Sequence, residues 1–363
     1  MGLAEAKTED PYSVIDIDPD GDLLLETGII GGGGSKFRVC SATLRRHSPV
    51  WKTMLFGPWK EAKPADGSEW VVELPDDPAF EMRITLYIMH GLFDQAPETL
   101  YIDRMFRLMI LLNKYDMARI VKPWCTKWMP SAESSFLPTH ITESLYIAWE
   151  MGNESLFTFR LAQISINTQE KGSGLVFKEH LTTLNVQGIT LQDEDHLGPP
   201  DILDLISKIR KAVIEKIIAP VHEDLEARVD STPCCTQGTS WNTIERGLCD
   251  AAVLGSIHRG MIKHGGDILP KFSFCISESP VQLASWLFPL MAQIQTLQNS
   301  AHQQCSLKEK YSKYNKALQD SIPEIVQQAL KPGHKEYMAS QRLKTGLAEK
   351  TETKLEPTYW GLT

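Results

Sequence analysis

Along the first third of the chain the apolar positions switch repeatedly between a period of two and a period near 3.6. Asp22–Thr27 (DLLLET) and Phe37–Cys40 (FRVC) are short strand-forming runs, and the glycine-rich IIGGGG between them predicts a hairpin. Behind Ser48, Pro49 suits the first position of a helix carrying Val50, Met54 and Leu55 at helical spacing. Trp70–Leu74 (WVVEL) is β-rich and ends at Pro75-Asp76-Asp77-Pro78. The next helix sets Phe80, Ile84, Tyr87 and Ile88 on an apolar face and stops at Gly91. Over Met105–Met117 the positions Met105, Leu108, Met109, Leu112 and Tyr115 keep the helical period. That segment is apolar nearly all round, which predicts a central helix. From Lys36 to Met129 the pattern therefore predicts a strand, two short helices, a strand and three helices.

After the proline-bounded stretch Pro130–Pro138 the pattern turns helical. Ile141–Met151 and Ser155–Ile166 are amphipathic and separated by Gly152-Asn153. Asp201–Val229 places Ile202, Leu205, Ile209, Val213, Ile217, Val221, Leu225 and Val229 at steps of three or four, a long core-facing helix with a bend expected at Pro220. Trp241–Ile262 and Pro280–Leu297 add further helical segments, so this region is expected to be all-helical. From about Gln303 the chain is polar and slightly basic, with weak periodicity interrupted by Pro323, Pro332 and Pro357. It predicts partial helix with a disordered end. The expected organisation is a flexible start (1–12), an α+β domain (13–129), a helical domain (139–300) and a polar tail (301–363).

With 363 residues the chain is long enough for two domains. Its 46 acidic against 37 basic residues give a net charge of -9, which offers no general attraction to nucleic acid or anionic membranes. No apolar run is long enough to cross a bilayer, and MGLAEAKTEDPYS lacks the features of a signal peptide. Gly2 invites myristoylation, but position 6 is Ala where that motif takes Ser or Thr. Seven irregularly spaced cysteines fit reduced thiols in the cytoplasm or nucleus.

Several motifs approach a chemical signature and miss it. Gly31-Gly32-Gly33-Gly34-Ser35-Lys36 reverses the Lys-Ser order of a phosphate loop and leads into a strand. His222-Glu223-Asp224-Leu225-Glu226 has Glu226 where a zinc-protease helix needs its second histidine, and is expected to be a charged outer face. Gly33-Gly34-Ser35-Lys36 runs into Phe37, which breaks the Gly-x-Ser-x-Gly elbow. Cys234, Cys235, Cys249, His222, His258 and His264 crowd the second region without the close ligand pairs of zinc knuckles. Buried thiols are the simpler reading, and no metal, cofactor or catalytic residue is predicted.

The series as a whole resembles the BTB/POZ domain, in the form common in fungal proteins. Phe37 and Val39 stand in its F-x-V strand; Leu44, Ser48 and Met54-Leu55 precede its acidic loop. Leu74-Pro75-Asp76-Asp77-Pro78-Ala79-Phe80 resembles its strand and acidic turn, His90-Gly91 ends the following helix, and Lys114-Tyr115-Asp116 with Pro123-Trp124 and Trp128 matches its closing signature. Trp51 stands for the usual Phe, Asn113 for the usual Asp, and the glycine run lengthens the first hairpin. Tyr146-Ile147-Ala148-Trp149-Glu150 with Gly152, then Cys234, Cys249-Asp250 and Leu254-Gly255, resemble the helical tail that accompanies the domain.

This resemblance implies a protein-docking module without an active site: a non-enzymatic adaptor with protein partners, in a family that includes both homodimers formed through the domain and monomers. In members that recruit cullin ubiquitin ligases, a hydrophobic residue, any residue and Glu precede the third strand, and Trp59-Lys60-Glu61 stands there. An exposed Trp59 would enter a groove while Glu61 meets a basic residue of a cullin. A packing role for Trp59 and a transcriptional co-regulator without direct DNA binding are the alternatives, and an enzyme housed in the helical region is the rival from another class.

Overall fold

The computed structural model describes residues 13–28, 34–134, 138–178, 188–229, 235, 243–263, 276–294 and 305–348. The protein is mixed α+β and groups into two compact units. The first runs to Phe157 and also takes in the chain from Gly333; the second comprises Thr158–Pro332.

In the first unit β1 (Val14–Asp16), β2 (Leu23–Thr27), β3 (Ser35–Val39) and β4 (Val71–Leu74) form a sheet in the order β1-β3-β2-β4. β2 and β3 are antiparallel with Leu25 opposite Phe37, as the hairpin reading expects; residues 29–33 of their connection lie outside the described residues. β1 and β4 pair in parallel at the two edges. Central β2 buries Leu23, Leu24, Leu25 and Thr27, the near-continuous burial of a strand covered on both faces. On β3, Phe37 and Val39 point into the core, while Lys36 pairs with Glu26 at 2.6 Å and Arg38 with Asp16 at 3.1 Å across the ladder.

Helices α1 (Ser41–His47), α2 (Pro49–Phe56), α3 (Ala79–Met89), α4 (Ile102–Lys114) and α5 (Cys125–Glu133) follow in the predicted order. Ser48 caps α2, its Oγ accepting the Trp51 N–H at 3.0 Å, with Pro49 in the first turn. The helix buried on most sides is α3, not α4. It buries Glu81, Met82, Ile84, Thr85, Leu86, Ile88 and Met89, leaving Phe80 and Tyr87 half-buried on its flank. α4 instead has a solvent face, because Arg107, Asn113 and Lys114 fall between its apolar positions.

α6 (Pro138–Met151) packs on α4, with Phe106 and Tyr146 edge to face at 5.5 Å. The first unit thus extends past residue 129, because the apolar side of α4 needs this cover. α12 (Pro332–Thr345) also belongs to it. Tyr337 stacks on Trp149 at 4.4 Å, and Thr345 Oγ1 donates to the Met151 carbonyl at 2.9 Å.

The second unit holds most of α7 (Glu154–Asn167), then β5 (Thr168–Lys171), β6 (Gly174–Phe177) and β7 (Ile189–Thr190) in an antiparallel sheet. This corrects the all-helical expectation for 139–300. Lys171 pairs with Gly174 across a two-residue turn, in which Gly172 takes φ 60°, a hairpin signal in TQEKGSGLVF that helical periodicity masked. α8 (Ile202–Val229), α9 (Thr243–Lys263), α10 (Pro280–Ala292) and α11 (Lys308–Ala329) complete the unit. α8 buries its predicted stripe as far as Val221, but Val229 is exposed. Asp224 is buried rather than on an outer face: Lys310 reaches it at 2.6 Å and Tyr311 Oη donates to it at 2.7 Å. α11 and α12 also make 308–345 helical almost throughout, where weak periodicity suggested only partial helix; α11 buries one apolar side, and α12 buries a mostly polar one of His334, Met338, Gln341 and Thr345.

Candidate protein-docking surface

The residues that carry the sequence pattern meet around one buried carboxylate. Asp77 accepts from Lys114 Nζ at 2.6 Å and from the Tyr115 hydroxyl. The Tyr115 ring lies flat on Trp51, with centroids 4.5 Å apart and planes 7° from parallel. Ser48 Oγ donates to the Tyr115 carbonyl at 2.6 Å while capping α2. Burial, reinforced by the Asp77 carboxylate, pushes the Tyr115 hydroxyl far up and keeps it a donor. One cluster therefore ties the turn after β4 to the end of α4 and the start of α2.

Phe37, Val39, Leu44 and Trp128 are fully buried, Leu74 and Trp124 nearly so, and Met54 and Phe80 are half-buried. Arg104 and Arg83 lie over the Phe80 ring at 4.7 and 5.7 Å, so this residue is roofed by guanidinium groups. Trp128 Nε1 donates to the Pro97 carbonyl at 3.0 Å. Gly91 at φ 79° and Asp116 at φ 49° close α3 and α4: the next N–H groups, of Leu92 and Met117, reach back to Tyr87 and Leu112. Lys344 pairs with Asp116 at 3.0 Å.

Trp59 lies apart from this core, 57% exposed in the connection between α2 and β4. Its indole covers the Cα of Gly57, and Trp70 Nε1 donates to the Glu61 carbonyl at 2.8 Å, which holds the Trp59–Glu61 backbone against the domain. The Glu61 side chain is 22% exposed with Lys60 Nζ 3.7 Å away. Beside them Phe56, 45% exposed, meets Trp70 edge to face at 6.2 Å under the Arg45 guanidinium. Phe56 was missed in the sequence, because an aromatic closing a short helix reads as core. Packing of Trp59 in the interior is excluded by its exposure.

The second unit contributes a different group. The sulfurs of Cys235, Cys249 and Cys305 lie within 4.8 Å of one another, with Cys235 and Cys305 3.5 Å apart. Burial first, then the two neighbouring cysteines, push the Cys305 thiol up to about 12. The sequence put Cys235 and Cys249 among its crowded residues but not Cys305, which lies 70 positions beyond Cys235. His222 and His258 are not in this group, and Cys234 and His264 lie outside the described residues. No described helix is long and apolar enough to cross a membrane. No protein-family model, curated protein or solved structure matches this chain.

Proposed function

We propose that the first unit is a BTB/POZ-type docking module and that the protein is a non-enzymatic adaptor, with a cullin as the partner for its Trp59–Glu61 segment. The observation that carries this is the half-exposed Trp59 on a backbone held in place by the Trp70 indole. A large apolar ring kept in water on a fixed loop loses little conformational entropy when a partner covers it, which is the property of an interface anchor. Phe56 extends the apolar area, and Arg45 and Lys63 rim it. The succession of strand, paired helices, strand and three helices supports the BTB reading, as does the Asp77–Tyr115–Ser48 cluster, which gives the signature residues a common structural task.

An adaptor role also fits the use made of buried polar groups. Fully buried Arg210 is spent on the Thr168 and Glu278 carbonyls and on Glu170, and Glu150 on Asn113, Tyr337 and Gln341. Such saturated groups hold a fold together. The module is expected to work in the cytoplasm or nucleus, and β1 pairs with β3 of its own chain, leaving homodimerisation to the remaining surface.

The test is capture of a purified cullin N-terminal domain by the full chain and by Trp59→Ala/Glu61→Ala. Capture by the native chain and at least a roughly tenfold loss in the double variant are expected, with unfolding free energies within about 0.5 kcal/mol because the tryptophan is exposed. Equal capture by both, or none by the native chain, sinks the cullin reading.

A further inference from the structure

We propose that Cys235, Cys249 and Cys305 form a thiolate site for a zinc ion. The three come from separate parts of the second unit: the connection from α8 to α9, the second turn of α9, and the approach to α11. A zinc ion with sulfur ligands at about 2.3 Å sets tetrahedral sulfurs about 3.8 Å apart. The 3.5 Å between Cys235 and Cys305, and the 4.8 Å limit on the whole trio, bracket that spacing. Cys40 and Cys125, the other described cysteines, take no part in such a group, so the meeting of three is particular to this place.

The surroundings suit a cation held by thiolates. Cys235 and Cys249 are buried, which protects the sulfurs, while half-buried Cys305 leaves an entry path. Asp250, next to Cys249, accepts the Cys235 backbone N–H at 3.4 Å and so holds one ligand-bearing segment from behind. Arg228, 3.8 Å from Asp250 and 3.1 Å from Asp224, pairs with both carboxylates and so keeps Asp250 in place behind the sulfurs. Binding replaces three S–H bonds by three S–Zn bonds and releases three protons. Its effect is to clamp chain segments 70 residues apart.

The full chain, expressed with zinc and purified without chelator, is expected to carry about one zinc per molecule by mass spectrometry of the metal. Cys249→Ser and Cys305→Ser are expected to lose it, and Cys40→Ser to retain it. Because a serine variant could fail to fold, the metal-stripped native chain is also titrated with cobalt(II). A sulfur-to-cobalt charge-transfer band that saturates at one equivalent supports the site. Zinc below about a tenth of an equivalent together with no such band, equal zinc in the cysteine variants, or a Cys235–Cys305 disulfide in the reduced-buffer preparation each overturns it. None of these readouts depends on Trp59 or on a cullin.

Discussion

His90 shows how one side chain links distant parts of the first unit. Its Nδ1 faces the Leu86 carbonyl at 2.9 Å and its Nε2 accepts the Cys40 N–H at 3.1 Å, so the ring is the neutral tautomer with its proton on Nδ1. Burial lowers its pKa most; the Leu86 carbonyl and Asp18 act the other way, and His47 adds to the lowering. A histidine lowered in the folded state takes up fewer protons there than in the unfolded chain, whose value is about 6.5. Stability from this group is complete above that pH and is lost as pH falls through it toward the folded value. Urea midpoints at about pH 7.5 and about pH 5.5 are therefore expected to drop less in His90→Gln than in the native chain. An equal drop contradicts the role. The partners themselves were hidden in sequence. Gly91 marks the helix end and made His90 visible as a position, but nothing local pairs it with Cys40, 50 residues earlier. Asp77 is similar: a carboxylate in a run of Asp and Pro reads as exposed, and only the Lys114 ammonium and the Tyr115 hydroxyl, 37 and 38 residues away, explain its burial.

Among elements, the corner between α6 and α7 carries more than a turn. Gly152 takes φ 73°, and the Asn153 N–H reaches back to the Ala148 carbonyl at 2.9 Å, so Gly152-Asn153 closes α6 as its sequence suggests. A Cβ on Gly152 would lie 2.3 Å from the Met338 carbonyl oxygen and 2.4 Å from the Arg342 nitrogen, both backbone atoms of α12. Gly91 has a similar φ of 79° with nothing within 4 Å of such a Cβ. Both glycine-to-alanine changes incur the left-handed backbone cost of about 1–2 kcal/mol. Gly152→Ala is expected to cost about 2 kcal/mol more by denaturant unfolding, from overpacking against α12. Equal costs would mean that α12 does not approach here. The same corner gives YIAWEMG its purpose: Trp149 stacks on Tyr337, and Glu150, whose carboxyl burial pushes up, accepts from Asn113, Tyr337 and Gln341.

For the chain as a whole, the first unit is discontinuous. Its last helix arrives from Gly333 onward, after the entire second unit. A fragment ending at Phe157 is thus expected to melt lower, by more than about 10 °C, than the same fragment joined by a flexible linker to residues 333–348. That is the shift from losing about 4 kcal/mol in a domain of this size. Matching melting curves would show that α12 adds nothing to this unit.

Sequence alone determined most elements of the first unit and the longest helix of the second, because their signals are local: alternation in FRVC and WVVEL, the Ser48-Pro49 cap, Gly91 as a stop and, in the second unit, the apolar stripe of α8. It also placed Trp59 and Glu61 in the connection before β4. Tertiary structure alone decided which of these residues face water and which face each other. It exposed Trp59, buried Asp77, Glu150, Arg210 and Asp224, returned α12 to the first unit and gathered Cys235, Cys249 and Cys305. The physical reason is that burial of a charge and convergence of ligands are properties of pairs far apart in the chain, and periodicity reports only on neighbours.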